Sequence, residues 1–205
     1  MSLSSAARAV VFDIGGVLLE WDPGLVYRGL LPDPAELEWF LSEVCTPDWN
    51  GTLDAGRPFD EACHELAARF PDHADLIHAW KRQDEMIAGE IAGTAELVAR
   101  LRDGGVLLYL LTNMPADVFA ARRARFGVLS LFDGAVVSGE EGVLKPSAEI
   151  FARLRDRFAL VPGQTLFVDD AEANVRGARA AGFLAHRFVD PPTLAAALRD
   201  HGFAV

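Results

Sequence analysis

The sequence predicts an α/β fold, an open doubly wound parallel sheet interrupted after its first strand by an all-helical lobe, and three observations carry that expectation. Five short apolar runs, "RAVVFD" (8–13), "VLLYLLTN" (106–113), "GAVVSG" (134–139), "TLFVDD" (165–170) and "FLAHRF" (183–188), are continuous rather than alternating, as strands buried on both faces are. Segments with helical spacing separate the later runs, which makes a βαβ series. The stretch from about 20 to 90 breaks that rhythm, with helical patterns and turn clusters but no β-rich run.

Taken in chain order, the first run ends on Asp13 and leads into Gly15 and Gly16. The lobe holds "PAELEWFLSEV" (34–44) and "FDEACHELAARF" (59–70) at helical spacing, with the turn cluster "TPDWNGTLDAGRP" (46–58) between them. "TAELVARLRD" (94–103) stops at Gly104-Gly105, and "PADVFAARRARFG" (115–127) opens on Pro115 and closes on Gly127, the usual start and stop signals. "SAEIFARLRDRF" follows Pro146, and "AEANVRGARAAG" ends on Gly182. The expected division is a core of residues 1–19 plus 91–205 and a helical cap of residues 20–90. No internal repeat or low-complexity tract interrupts it.

Composition narrows the function. The chain has 205 residues, a hydrophobic fraction of 51% and a formal net charge of -11, with no basic block. Nucleic acid is therefore not an expected partner, because phosphate backbones are held by clustered Lys and Arg. The run "VLLYLL" is too short to cross a bilayer and "MSLSSAAR" lacks the apolar stretch of a signal peptide, so no membrane partner and a cytoplasmic location are expected. Cys45 and Cys63 suit neither a disulfide framework nor a metal knuckle and read as small buried hydrophobes. Of the 19 basic residues only Lys81 and Lys145 are lysine, so each stands out in a chain that otherwise uses Arg. Nothing in the pattern specifies an oligomeric state.

In open parallel sheets, ligands bind beyond the carboxyl ends of the strands. Those ends deliver Asp13, Thr112-Asn113, Lys145 and Asp169-Asp170. Singly, each has a plain alternative: Asp169, Asp170, Thr112 or Asn113 could cap a helix, and Lys145 could be a solvated turn residue. Jointly they bring three carboxylates, a hydroxyl, an amide and an ammonium to one edge, and the adjacent acids call for a cation between them. Phosphoryl transfer needs that set. Mg²⁺ takes carboxylate and carbonyl oxygens, which Asp13, Asp170 and the Gly15 backbone carbonyl can supply. An aspartate can attack phosphorus, while Thr112, the neighbouring N–H groups and Lys145 neutralise the phosphate oxygens.

"FDIGGVL", "LLTN", "LKP" and "FVDDAEANV" resemble, in order and spacing, the four motifs of the haloacid-dehalogenase-like hydrolases. The resemblance covers nearly the whole chain and implies a Rossmann-like core with a mobile cap and, in most members, Mg²⁺-dependent phosphatase action on a small phosphorylated metabolite. It implies that Asp13 is nucleophile and metal ligand, Thr112 the phosphate-binding hydroxyl and Lys145 the phosphate clamp. Asp170 is then the main second metal carboxylate and Asp169 its supporting acid. Asn113 joins the phosphate-binding set, and Asn174 matches a position near the phosphate in some cap-bearing members.

One departure matters. The family's phosphatases carry a second Asp two residues after the nucleophile as general acid and base, and here that residue is Gly15. Losing such a group costs about 10²–10⁴ in rate. The resemblance extends to a cap-bearing subgroup in which this glycine accompanies sugar-phosphate phosphatases. Candidate replacements are Glu20, Asp22, Asp54 and His64, and Trp49, Asn50 and Arg57 are candidate substrate contacts. Three alternatives stand beside the phosphatase. A metal-independent 2-haloacid dehalogenase also lacks the second Asp, but the pair Asp169-Asp170 points to a cation. Phosphonate cleavage needs a cap lysine, for which Lys81 is the candidate, in a stretch that reads as a solvated ion-pair face. A non-catalytic phosphate-binding or interaction protein would have no need of Asp13.

Overall fold

The computed structural model describes residues 9–205; the segment "MSLSSAAR", and with it Arg8 of the first run, lies outside the described residues. Seven strands are present among them: β1 (Ala9–Phe12), β2 (Leu19–Trp21), β3 (Ile87–Glu90), β4 (Leu107–Thr112), β5 (Gly134–Val137), β6 (Thr165–Asp169) and β7 (Leu184–Arg187). Five of them form a parallel sheet in the order β5-β4-β1-β6-β7, in register from Ala9↔Leu107 and Ala9↔Thr165 outward.

The continuity of the apolar runs follows from what each face meets. Val10 and Phe12 of β1 join Leu108, Leu110, Leu166 and Val168 in a core covered by helices Thr94–Asp103, Ala116–Arg125 and Pro191–Asp200. Ala9 and Val11 point the other way, with Tyr109, Leu111 and Phe167, into a core under helices Ala148–Arg157 and Glu172–Ala180. Both faces are dry, so neither side of the period-two pattern is polar. The chain leaves β1 for β4 and β5 on one side, then crosses to β6 and β7 on the other. That reversal opens a crevice at the carboxyl end of β1.

Residues between β2 and β3 build a separate core around Tyr27, Phe40, Leu53, Cys63, Ile77 and Trp80. β2 and β3 themselves form an antiparallel ribbon, with a register shift at Glu20/Trp21, where the sequence shows no β-rich run. Strands of three and four residues, one with Gly89 inside it, are too short to display alternation, and their pairing is between distant segments. The cluster 46–58 also differs from expectation, because Pro47–Asp54 is a helix. Its Asn, Gly and Thr read as turn formers, but Thr46 caps it by accepting from Trp49 N (3.1 Å) and Pro47 occupies its first turn. The segment 34–44 is α-helical to Trp39 and continues as a π turn over Phe40–Val44. Helix Pro191–Asp200, capped by the Asp190 side chain, is a further element beyond the expected series.

Helix Glu172–Ala180 lies close to the loop that carries Lys145, and Gly177 sets the approach. A Cβ at Gly177 would stand 2.8 Å from the Pro146 carbonyl oxygen. In an open helix Gly→Ala stabilises by about 1 kcal/mol; here Gly177→Ala is expected to lower Tm. Thermal unfolding of the two proteins checks this, and an unchanged or raised Tm would contradict the close packing.

Candidate active site

Three adjacent strands deliver the site. Asp13 continues the β1 ladder by one bond, its N–H donating to Val168 O (2.9 Å), which places its carboxylate at the sheet edge between β4 and β6. Thr112 ends β4 and Asp169 ends β6. The loop after β5 brings Lys145 between the acids, its Nζ lying 2.8 Å from Asp13 Oδ1 and 2.7 Å from Asp169 Oδ2. Asn113 holds that loop with both ends of its amide: Lys145 N donates to Asn113 Oδ1 (2.8 Å), and Asn113 Nδ2 donates to Lys145 O (3.1 Å). The Asn113 side chain is thus engaged in positioning Lys145, while Asn113 also lines the pocket.

Asp169 is fully buried and saturated with donors. Its Oδ1 accepts from Ala171 N (2.9 Å) and Asn174 Nδ2 (3.0 Å), and its Oδ2 accepts from Lys145. Asn174 therefore spends its amide nitrogen on Asp169, although the residue also borders the pocket. Asp170, by contrast, is exposed and takes no hydrogen bond from a described side chain. The Gly15 carbonyl accepts no backbone hydrogen bond among the described residues, and Gly15 borders the same pocket. Gly16 has φ +70°, and a Cβ there would lie 2.5 Å from Asp170 Oδ2. Only glycine combines that left-handed turn with that close approach.

Burial dominates the electrostatics. It raises the Asp13 carboxyl to about 7, with Lys145 pulling it down and Asp169 pushing it up. Burial alone would depress Lys145, but the two carboxylates outweigh it and hold the ammonium above the usual lysine range. Although Asp170 is exposed as a residue, partial desolvation of its carboxyl, and after it the Asp169 charge, raise it. Carboxylate oxygens of Asp13, Asp169 and Asp170 lie within 4.8 Å of one another, a hard-oxygen set with more negative charge than one lysine balances.

A cavity of about 270 Å³ is lined by Asp13, Gly15, Thr112, Asp170 and Asn174 at the sheet edge and by Asn50, Asp54 and Gln83 from the segment between β2 and β3. Thr112 is buried as a residue and borders this cavity, and its hydroxyl makes no hydrogen bond to a described residue. A wider cavity of about 860 Å³ adjoins it, walled by Trp21, Leu41, Trp80 and Leu144 on one side and by polar groups that include Asp48, Asn50 and Asp54 on the other.

Among the candidate replacement acids, only Asp54 reaches the pocket. Glu20 and His64 are exposed, and Asp22 is paired with Arg28 (2.8 Å). Burial raises Asp54 to about 7. Of the candidate substrate contacts, Asn50 lines both cavities, Trp49 packs on Trp80, and Arg57 pairs with Glu61 and Glu65. Lys81 is solvated beside Asp60 (3.8 Å) and borders neither cavity. Sequence reasoning missed Trp21, Ser138 and Arg122. Arg122 is buried, lines the smaller cavity, and has only Met114 Sδ (3.6 Å) and Gln83 O (3.4 Å) as acceptors. An arginine in a basic helical run gives no sign of such burial; Ser138, just past a strand end, could have been found by position.

The pattern of the haloacid dehalogenase-like hydrolases matches residues 7–182. The chain belongs to this family. It is thus a hydrolase, and the HAD-like fold and motif order agree. A sesquiterpene phosphatase of Aspergillus oryzae is 30% identical over 89% of this chain and 90% of its own length. A phosphoglycolate phosphatase of Salmonella choleraesuis is 25% identical over 85% of this chain and 78% of its own. A HAD family enzyme of Bacteroides thetaiotaomicron, solved as a magnesium complex, superposes with a TM-score of 0.73 at 19% identity, covering 95% of this chain and 99% of that one. That likeness shows the HAD-like fold.

Removing Lys145 from this HAD-like site leaves two buried carboxylates facing each other. Lys145→Met is expected to cost about 3–5 kcal/mol of unfolding free energy in metal-free buffer. The loss should be larger at about pH 8 than at about pH 5, because acid protonates the orphaned pair. Urea unfolding at both values checks this; a loss below about 1 kcal/mol at both would contradict the reading of Lys145 as their main counter-charge.

Proposed function

We propose that the chain is a Mg²⁺-dependent phosphatase, acting on a small phosphorylated metabolite through an aspartyl-phosphate on Asp13. The observation that carries this is the Lys145 ammonium held 2.8 Å from Asp13 and 2.7 Å from Asp169, with Asp170 and the Thr112 hydroxyl on the same pocket. Asp13, Asp170 and the Gly15 carbonyl would hold the cation, with Asp169 supporting through Lys145 and Asn174. When bound, Mg²⁺ supplies positive charge to the phosphate oxygens and fixes phosphorus before Asp13. The Asp13 carboxylate attacks phosphorus as the ester oxygen leaves; Thr112 and Lys145 donate to the remaining oxygens, and water then releases inorganic phosphate. The adjacent acids favour this over metal-independent carbon–halogen cleavage, and a cytoplasmic setting suits the free thiols of Cys45 and Cys63.

The wider cavity supports a bulky, largely hydrocarbon leaving alcohol. Trp21, Leu41, Trp80 and Leu144 give it broad aromatic and aliphatic walls, and of its polar side chains Asn50, Thr52, Asn113 and Lys145 are already engaged while Asp48 is exposed at its rim. Asn50 lies between Asp54 and Trp80, the Thr52 hydroxyl donates to Trp49 O (2.7 Å), and Asn113 clasps Lys145. A sugar would leave buried hydroxyls short of partners, at about 1–3 kcal/mol each. The similarity to a sesquiterpene phosphatase supports the same direction. A sugar phosphate is the second reading, favoured by Gly15 through the subgroup resemblance.

Phosphate release from alkyl, prenyl and hexose phosphates, with and without Mg²⁺, tests both statements. Mg²⁺-dependent turnover is expected, best with prenyl or long alkyl esters, and Asp13→Asn should lower kcat by about 10³-fold or more. No release from any ester would overturn the phosphatase; preference for hexose phosphates would overturn only the leaving group.

A further inference from the structure

We propose that Asp54, at the end of the cap helix Pro47–Asp54, is the general acid and base for which Gly15 has no side chain. The inference rests on the phosphatase reading of the same site. A Cβ at Gly15 would find Trp21 Cβ, 4.0 Å away, as its only neighbour within 4 Å, so residue 15 faces space that nothing fills from its own side. Three acids line the pocket: Asp13, Asp170 and Asp54. The first two belong to nucleophile and cation. Asp54 is the one left over, and it lines both the pocket at Asp13 and the wider cavity assigned to the leaving alcohol. On the phosphatase reading, the ester oxygen joins the phosphate before Asp13 to the alcohol in the wider cavity, which is the junction Asp54 lines.

Asp54 is held there from two directions. Its Oδ2 accepts from Asn50 Nδ2 (2.9 Å), and Asn50 Oδ1 in turn accepts from Trp80 Nε1 (2.9 Å). Its backbone carbonyl accepts from Ser138 Oγ (2.5 Å), which itself accepts from Met114 N (2.8 Å), two residues past Thr112. The cap residue is thereby indexed to the loop that carries the phosphate-binding hydroxyl. Asn50 occupies one carboxyl oxygen, while Oδ1 takes no hydrogen bond among the described residues and can carry the moving proton. Charged groups around it are Arg122, Asp13 and Lys145, and burial keeps its carboxyl near the range in which it can both give and take a proton.

The steps balance. As the Asp13–phosphorus bond forms, the phosphorus–ester bond breaks, its electron pair stays on the leaving oxygen, and that oxygen takes the Asp54 proton. Water then bonds to phosphorus, the Asp13–phosphorus bond breaks, and the water proton returns to Asp54.

Asp54→Asn is tested on two esters with Mg²⁺ present. For an alkyl phosphate, whose alkoxide needs a proton, kcat/KM should fall by about 10²–10⁴-fold; for p-nitrophenyl phosphate, whose leaving group needs none, by less than about tenfold. The phosphoenzyme should accumulate after rapid acid quench, and adding Gly15→Asp should restore the alkyl ester rate. Equal losses on both esters, or no loss, would overturn the assignment and leave the phosphatase standing. If the unaltered protein hydrolyses neither of these esters nor a hexose phosphate, both fall. Should Asp54→Asn fail to fold, Gly15→Asp alone decides: a gain within about twofold means the role is filled, and a much larger gain means it was vacant.

Discussion

One buried ammonium holds this site together. Lys145 sits between Asp13 and Asp169 with its side chain almost wholly out of water. Burying an ion costs several kcal/mol, and the cost is met only where partners are close and their remaining lone pairs are satisfied. The surroundings supply those conditions. Asn113 clasps the Lys145 backbone, Asn174 and Ala171 N saturate Asp169, and the missing side chain at Gly177 lets the helix behind the loop approach Pro146. Two carboxylates and one lysine still leave an excess of negative charge, and Asp170 adds to it. That excess is what makes a cation, and through it a phosphate, the proposed complement of the edge.

The glycines after Asp13 divide two tasks. Gly16 turns the chain at φ +70° and lets Asp170 come close, so it belongs to the geometry of the acids. Gly15 leaves room, and the room is bounded by the cap. A helix that reads as a turn cluster presents Asn50 and Asp54 to the pocket, and Ser138 ties that helix to the core. Fold and proposed chemistry thus meet at one contact: on the proposed reading, Asp54 of this helix serves the place that Gly15 leaves open.

Much of this was legible in the chain. The five strands of the parallel sheet lie within the apolar runs, most plainly β1, β4 and β6, which are buried on both faces at the centre of the sheet, and the strand-end residues meet at one edge because parallel strands deliver their carboxyl ends together. What escaped was set by distant contacts. β2 and β3 have too few residues for a periodic signal. Helix Pro47–Asp54 carried its cap signal, Thr46-Pro47, under weak helix formers. The hydrogen bonds of Asn113 to the Lys145 loop and of Asn174 to Asp169 join segments that sequence spacing does not bring together. Asp54 stood among four candidate acids until the packing of the cap separated it from Glu20, Asp22 and His64.

The central claim is that the carboxylate beside Lys145 is the atom group that bonds to the substrate. Acid quench during turnover of a phosphate ester in ¹⁸O-labelled water, followed by peptide mapping, tests it most directly. The account predicts a phosphoryl group on Asp13 and no ¹⁸O in the Asp13 carboxylate, because water attacks phosphorus. A phosphoryl group on another residue, or ¹⁸O entering Asp13 as it does when water attacks a carbon ester, would contradict it.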